Sequence, residues 1–343
     1  MDVGFRLIER AIARGPIPGA AVAIGDRESE RQACFGEMES NGPAVTPDTW
    51  FDMASLTKVL CTVPLVLEAI ASGHVDPRAP LREVLPEIAW LQERPNLGDD
   101  TVLQLATHTS GLPAWQPLYT LGLDRATLLA KLLHTPLAQP PGLIEYSDLG
   151  FILLGYLLER VLEKPLDGLA RALFGRLGLD GALGFSVPKN APVAPTEHCP
   201  WRMLSLRGEV HDENAAALGG VAGHAGLFGT LQGVCGYARS LLDCRLHSTT
   251  VVEYLSQEHA RAAPPNTERR GFGWSLMAPG WSGGDLMSAR SIGHTGFTGT
   301  GVWIDLERGK YSVLLTNRVY PSRHIESNIV SLRRGFNHAA HAV

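Results

Sequence analysis

Cysteines are few and basic clusters are missing, and both shortages narrow what the chain can do. The 343 residues include five cysteines, which are widely spaced and form no Cys-x-x-Cys pair. Such a set predicts neither a disulfide framework nor a zinc site, so we expect free thiols in a reducing compartment. The formal net charge is −5, and no run of lysine and arginine exceeds two residues. Nucleic acid is therefore not an expected partner.

Long apolar runs are missing as well. Residues 1–10 are charged and amphipathic and contain no apolar signal core. The most apolar stretch, which follows Lys58, is broken by Pro64 and Glu68 and is too short to cross a membrane. We expect no membrane span and a cytoplasmic protein, or a periplasmic one if a leader has been removed from it.

The spacing of apolar residues predicts helices at both ends of the chain and through its middle. Helices are expected at residues 3–14, 55–72, 81–85, 102–108, 128–133, 146–162, 227–242 and from Ser322 onward. Strands are expected at residues 20–25, 31–36, 271–276, 291–295, 301–305 and 310–316. Short turns join the late strands, so both strand groups are expected to form one antiparallel sheet.

This order predicts an α+β fold in α/β/α layers with two lobes. Residues 1–75 and 265–343 are expected to form an α/β lobe, in which the N- and C-terminal helices flank the antiparallel sheet. Residues 76–264 are expected to form a second, mostly helical lobe. A cleft between two lobes is a natural place for a site.

A Ser-x-x-Lys pair stands at the head of the most apolar predicted helix. Positions three apart share a helix face, so the Ser55 hydroxyl and the Lys58 amine would point the same way. Burial makes a charged lysine costly, so its pKa would fall, and the neutral amine could then take the serine proton. The alternative is structural, with Ser55 as a helix cap and Lys58 as a surface residue.

Two further triplets follow in order along the chain. Residues 146–148 are Tyr-Ser-Asp at a predicted helix start, and residues 294–296 are His-Thr-Gly at the end of a predicted strand. Penicillin-recognising enzymes carry Ser-x-x-Lys, Ser-Asp-Asn and Lys-Thr-Gly as the corresponding set. The chain thus resembles the serine β-lactamase and penicillin-binding-protein superfamily, most of all its class C branch with the related DD-peptidases, esterases and D-aminopeptidases. The resemblance is carried by residues 51–58, 107–113, 146–150, 210–228 and 293–299.

The resemblance implies a β-lactamase/transpeptidase-like fold and a role for each matched catalytic residue. Ser55 would be the acylated nucleophile and Lys58 the base or proton relay. Tyr146 would relay protons and help to activate the deacylating water. The backbone N–H groups of Ser55 and Phe297 would form the oxyanion hole for the tetrahedral intermediate.

The resemblance also implies a substrate-binding set of Asp148, His294, Thr295 and Gly296. Two members of this set depart from the usual family pattern. Asp148 replaces asparagine, and a carboxylate near Lys58 would favour the charged amine and move the role of base toward Tyr146. His294 replaces lysine. An exposed histidine has a pKa near 6.5, so His294 would hold a substrate carboxylate better as the pH falls.

Other histidines and acids have mainly structural interpretations. His108 is expected to set a turn between the lobes. His211, Asp212 and His224 could suggest a metal, but no His-Glu-x-x-His motif is present, and we predict neither a metal nor another cofactor. Asp212 and Asn214 would either support the site from its far wall or stabilise a loop.

The predicted function is that of a serine hydrolase working through a Ser55 acyl-enzyme. The substrate would be a small molecule or a short peptide that carries an ester, an amide or a D-alanyl peptide bond. A true class C-like β-lactamase is the alternative within the same chemistry. An alternative of another class is a catalytically weak domain that binds peptidoglycan fragments or β-lactams. The sequence leaves the oligomeric state open.

Overall fold

The computed structural model describes residues 3–342. Its α-helices are α1 (Val3–Arg14), α2 (Val63–Ala71), α3 (Val102–Ala106), α4 (Arg125–Leu133), α5 (Asp148–Leu162), α6 (Leu166–Leu177), α7 (Glu213–Ala217), α8 (Leu231–Leu242), α9 (Thr249–Ser256) and α10 (Ile329–Ala340). Its strands are β1 (Gly19–Asp26), β2 (Glu30–Gly36), β3 (Phe51–Asp52), β4 (Leu183–Gly184), β5 (His198–Cys199), β6 (Leu204–Ser205), β7 (Phe228–Gly229), β8 (Ala260–Arg261), β9 (Arg269–Arg270), β10 (Ser275–Leu276), β11 (Ser291–Thr295), β12 (Gly301–Asp305) and β13 (Lys310–Thr316). Among these residues, no helix is both long and apolar enough to cross a membrane.

Eight strands form one sheet in the order β2-β1-β13-β12-β11-β10-β9-β8. Strand β1 joins the early and late strand groups, because Ala23 pairs with Gln32 of β2 on one side and with Val313 of β13 on the other. All neighbouring pairs are antiparallel, and β11 to β13 are connected by short turns. The predicted union of both strand groups in one antiparallel sheet is confirmed.

Both faces of the sheet are buried, and β1 shows how. Side chains alternate across a strand. Ala20, Val22 and Ile24 pack into a cluster with residues of the terminal helices, including Ile8 of α1 and Phe336 of α10. The alternate residues of β1 pack into the main core instead. The expected cover of the sheet by the N- and C-terminal helices is therefore present.

The single regular helix predicted at residues 55–72 is wrong, because a π-helical turn interrupts it. A π-helical turn, Lys58–Thr62, precedes α2. In this turn the Val63 N–H bonds to the Lys58 carbonyl, five residues back. Pro64 then occupies the first turn of α2, directly after the π-helical turn.

Other boundaries differ where local signals conflict. The predicted closing helix begins at Ile329 rather than Ser322, and the helix at 227–242 begins at Leu231 after a short strand. Helices α6 and α9 were not predicted, because glycines interrupt the first and β-branched residues fill the second. The division into lobes at residues 75–76 and 264–265 stays a prediction.

Candidate active site

Ser55 lies in a tight turn that follows β3. Ala54, the residue before it, has a left-handed backbone with φ of 46°. This conformation is costly for a residue with a Cβ atom, so the surrounding contacts must hold it. The Ala54 N–H donates to the buried Asp52 carboxylate at 2.7 Å, and the Lys58 N–H donates to the Ser55 carbonyl at 3.1 Å. These bonds fix the Ser55 hydroxyl at the surface of a cleft.

Lys58 is fully buried and uses all three of its ammonium protons. Its Nζ donates to Ser55 Oγ at 2.9 Å, to Asp148 Oδ1 at 2.7 Å and to the His224 carbonyl at 3.2 Å. Burial alone would lower the pKa of Lys58, but the Asp148 carboxylate and the nearby Tyr146 oxygen outweigh burial and raise it. Lys58 is therefore an ammonium at neutral pH, as expected for a lysine next to the Asp148 carboxylate, and the other expectation, of a neutral amine, is wrong.

Tyr146 ends the loop before α5, and two neighbours position it. Ser147 caps the helix through the Gly150 N–H at 3.3 Å, and its own N–H donates to His108 Nδ1 at 3.0 Å. The His108 ring lies 4.4 Å from the Tyr146 ring between centroids. These contacts favour the predicted structural role of His108, and they place its ring against Tyr146.

Two cations lie near the Tyr146 ring. Lys58 Nζ is 5.0 Å from the ring centroid and the Arg270 guanidinium is 5.4 Å from it. Both side chains therefore place positive charge near this aromatic ring. We refer to Ser55, Lys58, Tyr146 and Asp148 as the nucleophile corner.

The turn after β11 is fastened to the nucleophile turn. The Thr298 hydroxyl donates to the Asp52 carbonyl at 2.7 Å, and the Thr300 hydroxyl donates to the Met53 carbonyl at 3.1 Å. At Gly296 a Cβ atom would lie 2.1 Å from Thr300 Oγ1, so only glycine allows this approach. The predicted Thr295, Gly296 and Phe297 therefore line the same cleft as Ser55.

The backbone N–H groups of the predicted oxyanion hole lie at this junction of the two turns. Among residues 3–342, no acceptor takes the backbone N–H of Ser55 or of Phe297. Both residues line the cleft. Free N–H donors beside a nucleophile are available to stabilise negative charge on a substrate oxygen.

His294 differs from its expected state. It is only 5% exposed, and it is not among the residues that line the cleft. Burial and the positive charges of Lys58 and Arg270 hold its pKa well below the usual value. Its Nδ1 lies 3.0 Å from the Thr295 carbonyl, which can only accept, so Nδ1 carries the single ring proton. The expectation of an exposed or half-exposed, titrating His294 is wrong because strand β11 is buried there.

A second charged cluster, whose contacts sequence reasoning missed, reaches the cleft through His211, Glu213 and Arg323. Arg323 pairs with Glu197 and Glu213, each at 2.6 Å. Glu197 also contacts His211 Nε2 at 2.9 Å, and the His211 N–H donates to Asp52 at 2.7 Å. We call these five residues the outer wall. Glu197 and Arg323 are 126 residues apart, and no motif links them, so only the fold reveals the pair.

Asp212 and His224 form a further pair behind Lys58. His224 Nε2 lies 2.8 Å from Asp212 Oδ1. Burial alone would raise the pKa of Asp212, but His224 and the charge of Lys58 hold it well below the usual range. Asn214 bonds to loop residues Gln116 and Tyr119, which favours its predicted loop-stabilising role. Within residues 3–342, no group of three or more His, Cys, Asp or Glu side chains could hold a metal ion.

Members of both clusters line a cleft of about 860 Å³: Ser55, Tyr146 and Asp148 of the nucleophile corner, and His211, Glu213 and Arg323 of the outer wall. A serine hydroxyl bonded to a buried ammonium, with free N–H groups beside it, suits covalent catalysis by a serine hydrolase. The fold and the cleft together define an enzyme of the hydrolase class.

A model of the Beta-lactamase family matches residues 5–333. The chain therefore belongs to the beta-lactamase family, as its motifs predicted. A protein of Escherichia coli (strain K12) named "Putative D-alanyl-D-alanine carboxypeptidase" is 29% identical over 309 residues, which cover 80% of this chain and 70% of that protein.

Solved structures of the same fold cover nearly the whole chain. EstCE1, described as a hydrolase with promiscuous acyltransferase activity, has a TM-score of 0.79 at 19% identity and covers 97% of each chain. A class C beta-lactamase from Rhodobacter sphaeroides has a TM-score of 0.75 at 20% identity and covers 99% of each chain. These likenesses confirm the predicted β-lactamase/transpeptidase-like fold.

Proposed function

We propose that the protein hydrolyses an ester, an amide or a D-alanyl peptide through an acyl-enzyme on Ser55. The observation that carries this proposal is the 2.9 Å contact between Ser55 Oγ and Lys58 Nζ. It is supported by the position of Ser55 at a cleft with free N–H donors. The names of the relatives, a D-alanyl-D-alanine carboxypeptidase and an acyl-transferring hydrolase, support this range of substrates.

In the proposed acylation step, Tyr146 takes part as its phenolate. Ser55 Oγ attacks the carbonyl carbon while the serine proton passes to the phenolate oxygen, which becomes a neutral phenol. Lys58 is already fully protonated, so it cannot accept that proton; it stabilises the negative charge on both oxygens instead. The carbonyl oxygen gains negative charge next to the N–H groups of Ser55 and Phe297. Tyr146 then returns the proton to the leaving group as its bond to the acyl carbon breaks.

In the proposed deacylation step, a water molecule attacks the acyl carbon and gives a proton to the Tyr146 oxygen. The bond between the acyl carbon and Ser55 Oγ breaks, and Ser55 takes the proton back. The carboxylic acid leaves and the enzyme returns to its starting state. Tyr146 thus acts as base and as acid in both halves of the reaction.

The acyl-enzyme can be tested by intact mass after treatment with a fluorophosphonate or a penicillin. We expect one adduct on the protein and none on Ser55→Ala. Ser72→Ala is a matched control, because Ser72 is an exposed serine at the end of α2, and it should keep the adduct. An adduct that persists in Ser55→Ala would remove Ser55 as the nucleophile. Turnover of nitrocefin, p-nitrophenyl acetate and a D-Ala-D-Ala peptide, measured in parallel, separates lactamase, esterase and carboxypeptidase activity.

A further inference from the structure

Three arginines line the cleft, and their charges are balanced differently. Arg323 pairs with two carboxylates of the outer wall. Arg318 and Arg333 have no carboxylate within ion-pair distance among the described residues; their recorded bonds go to backbone carbonyls. The side of the cleft that carries Phe297 therefore holds positive charge that the protein itself does not neutralise.

Arg318 is fixed to the predicted oxyanion-hole residue. Its Nε donates to the Phe297 carbonyl at 2.8 Å, and its guanidinium carbon lies 4.6 Å from the centroid of the Phe297 ring. No acceptor within residues 3–342 takes the terminal amino groups of this guanidinium. An arginine held flat through Nε and an aromatic ring presents its two terminal nitrogens as a fork that fits a carboxylate.

Arg333 adds a buried positive charge behind this fork. It is 7% exposed and donates to the Gly296 carbonyl at 2.7 Å and to the Thr300 carbonyl at 2.8 Å. Its Nε is buried and has no partner in the described part of the chain. Burial and the nearby charge of Arg318 lower the pKa of Arg333 to about 9. An anion beside Arg318 would relieve this repulsion between two like charges.

The acids around Arg318 do not remove its charge. Glu326 and Glu197 are the acidic groups that act on it, and Arg323 opposes them. Glu197 is already engaged by Arg323 and His211. Glu326 accepts the Asn328 N–H at 2.8 Å and lies beyond ion-pair distance from Arg318. His294, the residue expected to hold the carboxylate, is buried and neutral, so it supplies no positive charge to the cleft.

We propose that Arg318 is the anion-binding group of this cleft and holds a free carboxylate of the substrate next to Phe297. This inference rests on the proposed function and narrows it. The preferred substrate would be an acylated amino acid or short peptide whose free carboxylate lies near the scissile bond. Neutral esters would lack this contact.

The inference can be tested by calorimetry in the Ser55→Ala protein, where binding is separated from turnover. The probes are N-acetyl-D-alanyl-D-alanine and its C-terminal amide, which differ only in the negative charge. A charge-assisted hydrogen bond of a carboxylate to an arginine predicts about 10- to 100-fold tighter binding of the acid. Arg318→Gln should bring the ratio of the two affinities close to one.

Matched variants separate the charge of Arg318 from its packing. Arg318→Met keeps an apolar stem over the Phe297 ring, so it should stay folded even if Arg318→Gln is unstable. It should also bring the ratio of the two affinities close to one. Arg245→Gln should leave the ratio unchanged, because Arg245 is an exposed arginine whose recorded partner is Asp243 and which does not line the cleft.

Two outcomes would overturn the inference. One is equal binding, or no binding, of acid and amide to the Ser55→Ala protein. The other is a preference for the acid that survives in both Arg318→Gln and Arg318→Met. Loss of the proposed function would be visible separately, as the absence of a Ser55 adduct, and the affinity ratio would still decide the role of Arg318.

Discussion

In the nucleophile corner one cation, Lys58, donates hydrogen bonds to a hydroxyl, a carboxylate and a carbonyl. In the outer wall, by contrast, Arg323 forms ion pairs with two carboxylates. Both clusters face the same cleft and have similarly short contacts. The corner contains an oxygen, Ser55 Oγ, that is open to the cleft and can react. The groups of the outer wall bond mainly to each other. We infer that the nucleophile corner supplies the chemistry and that the outer wall maintains the shape of the cleft.

This contrast predicts that changes in the corner reduce turnover far more than stability. Lys58→Ala and Tyr146→Phe should each lower kcat by about a hundredfold or more, the usual effect of losing a proton-transfer group. The melting temperature of Tyr146→Phe should change little, because the ring and its contact with His108 remain. The measurement is kcat on the best substrate of the panel, together with thermal unfolding.

Tyr156→Phe is the matched control for this prediction. Tyr156 also lies on the helix that follows Tyr146, but its hydroxyl bonds to Glu87 and it does not line the cleft. Its loss should leave kcat unchanged. If Tyr146→Phe keeps full turnover, Tyr146 is not the proton acceptor. Asp148→Asn would then test whether Lys58 is the base. Removing that carboxylate lowers the pKa of Lys58 and would increase turnover at neutral pH if Lys58 were the base.

The charge of Lys58 could be predicted from the sequence only in part. The Ser55–Lys58 contact is local, three residues apart, so the helical spacing was enough to predict it. The charge of Lys58 depends on Asp148, which is 90 residues away. The motif indicated that Asp148 would be near, and only the folded geometry gave a 2.7 Å contact that outweighs burial.

The antiparallel sheet and β11 to β13 were predictable because alternating apolar residues and short turns are local signals. The outer wall carried no local signal that joins its members, although Asp52, His211 and Glu213 lie in segments that resemble the family. Asp52 meets His211 across 159 residues, and Glu197 meets Arg323 across 126 residues. Each of these residues alone is typical of a solvated surface. The burial of His294 was likewise set by packing around β11, and its identity in the motif could not reveal it.

The outer wall should respond in the opposite way, with a loss of stability and little direct loss of chemistry. Glu197→Gln leaves the Arg323 guanidinium with one carboxylate. We expect a loss of about 2–3 kcal/mol in the free energy of unfolding at pH 7, below the range for a fully buried pair because Arg323 is 26% exposed. Turnover per folded molecule should fall less than in Tyr146→Phe. Urea unfolding gives the free energy, and Glu307→Gln, at an exposed turn, should change it by less than about 0.5 kcal/mol.

The same pair predicts how this stability difference depends on pH. Burial would raise the pKa of Glu197, but His211 and Arg323 hold it well below the usual range. A lowered pKa means that the contribution is complete above the unfolded pKa of about 4.3 and is lost as the pH falls through the folded value. The difference between the parent protein and Glu197→Gln should therefore shrink below about pH 4. A difference that stays constant down to pH 3 would show that the charge of Glu197 is not its source.

The smallest expected effect concerns His294, which belongs to neither cluster. Because burial, Lys58 and Arg270 lower its pKa, it should remain neutral between about pH 8 and 6. In NMR spectra of protein with labelled histidine rings, the resonance that disappears in His294→Gln should not titrate over this range. Binding of N-acetyl-D-alanyl-D-alanine to Ser55→Ala should have the same pH dependence with and without His294→Gln. The opposite result would be a His294 resonance that titrates between pH 6 and 8, together with loss of the pH dependence of binding in His294→Gln. It would show that His294, and not Arg318, binds the substrate carboxylate. It would also place a titrating charge near Lys58, so the charge around the nucleophile corner would change between pH 6 and 8.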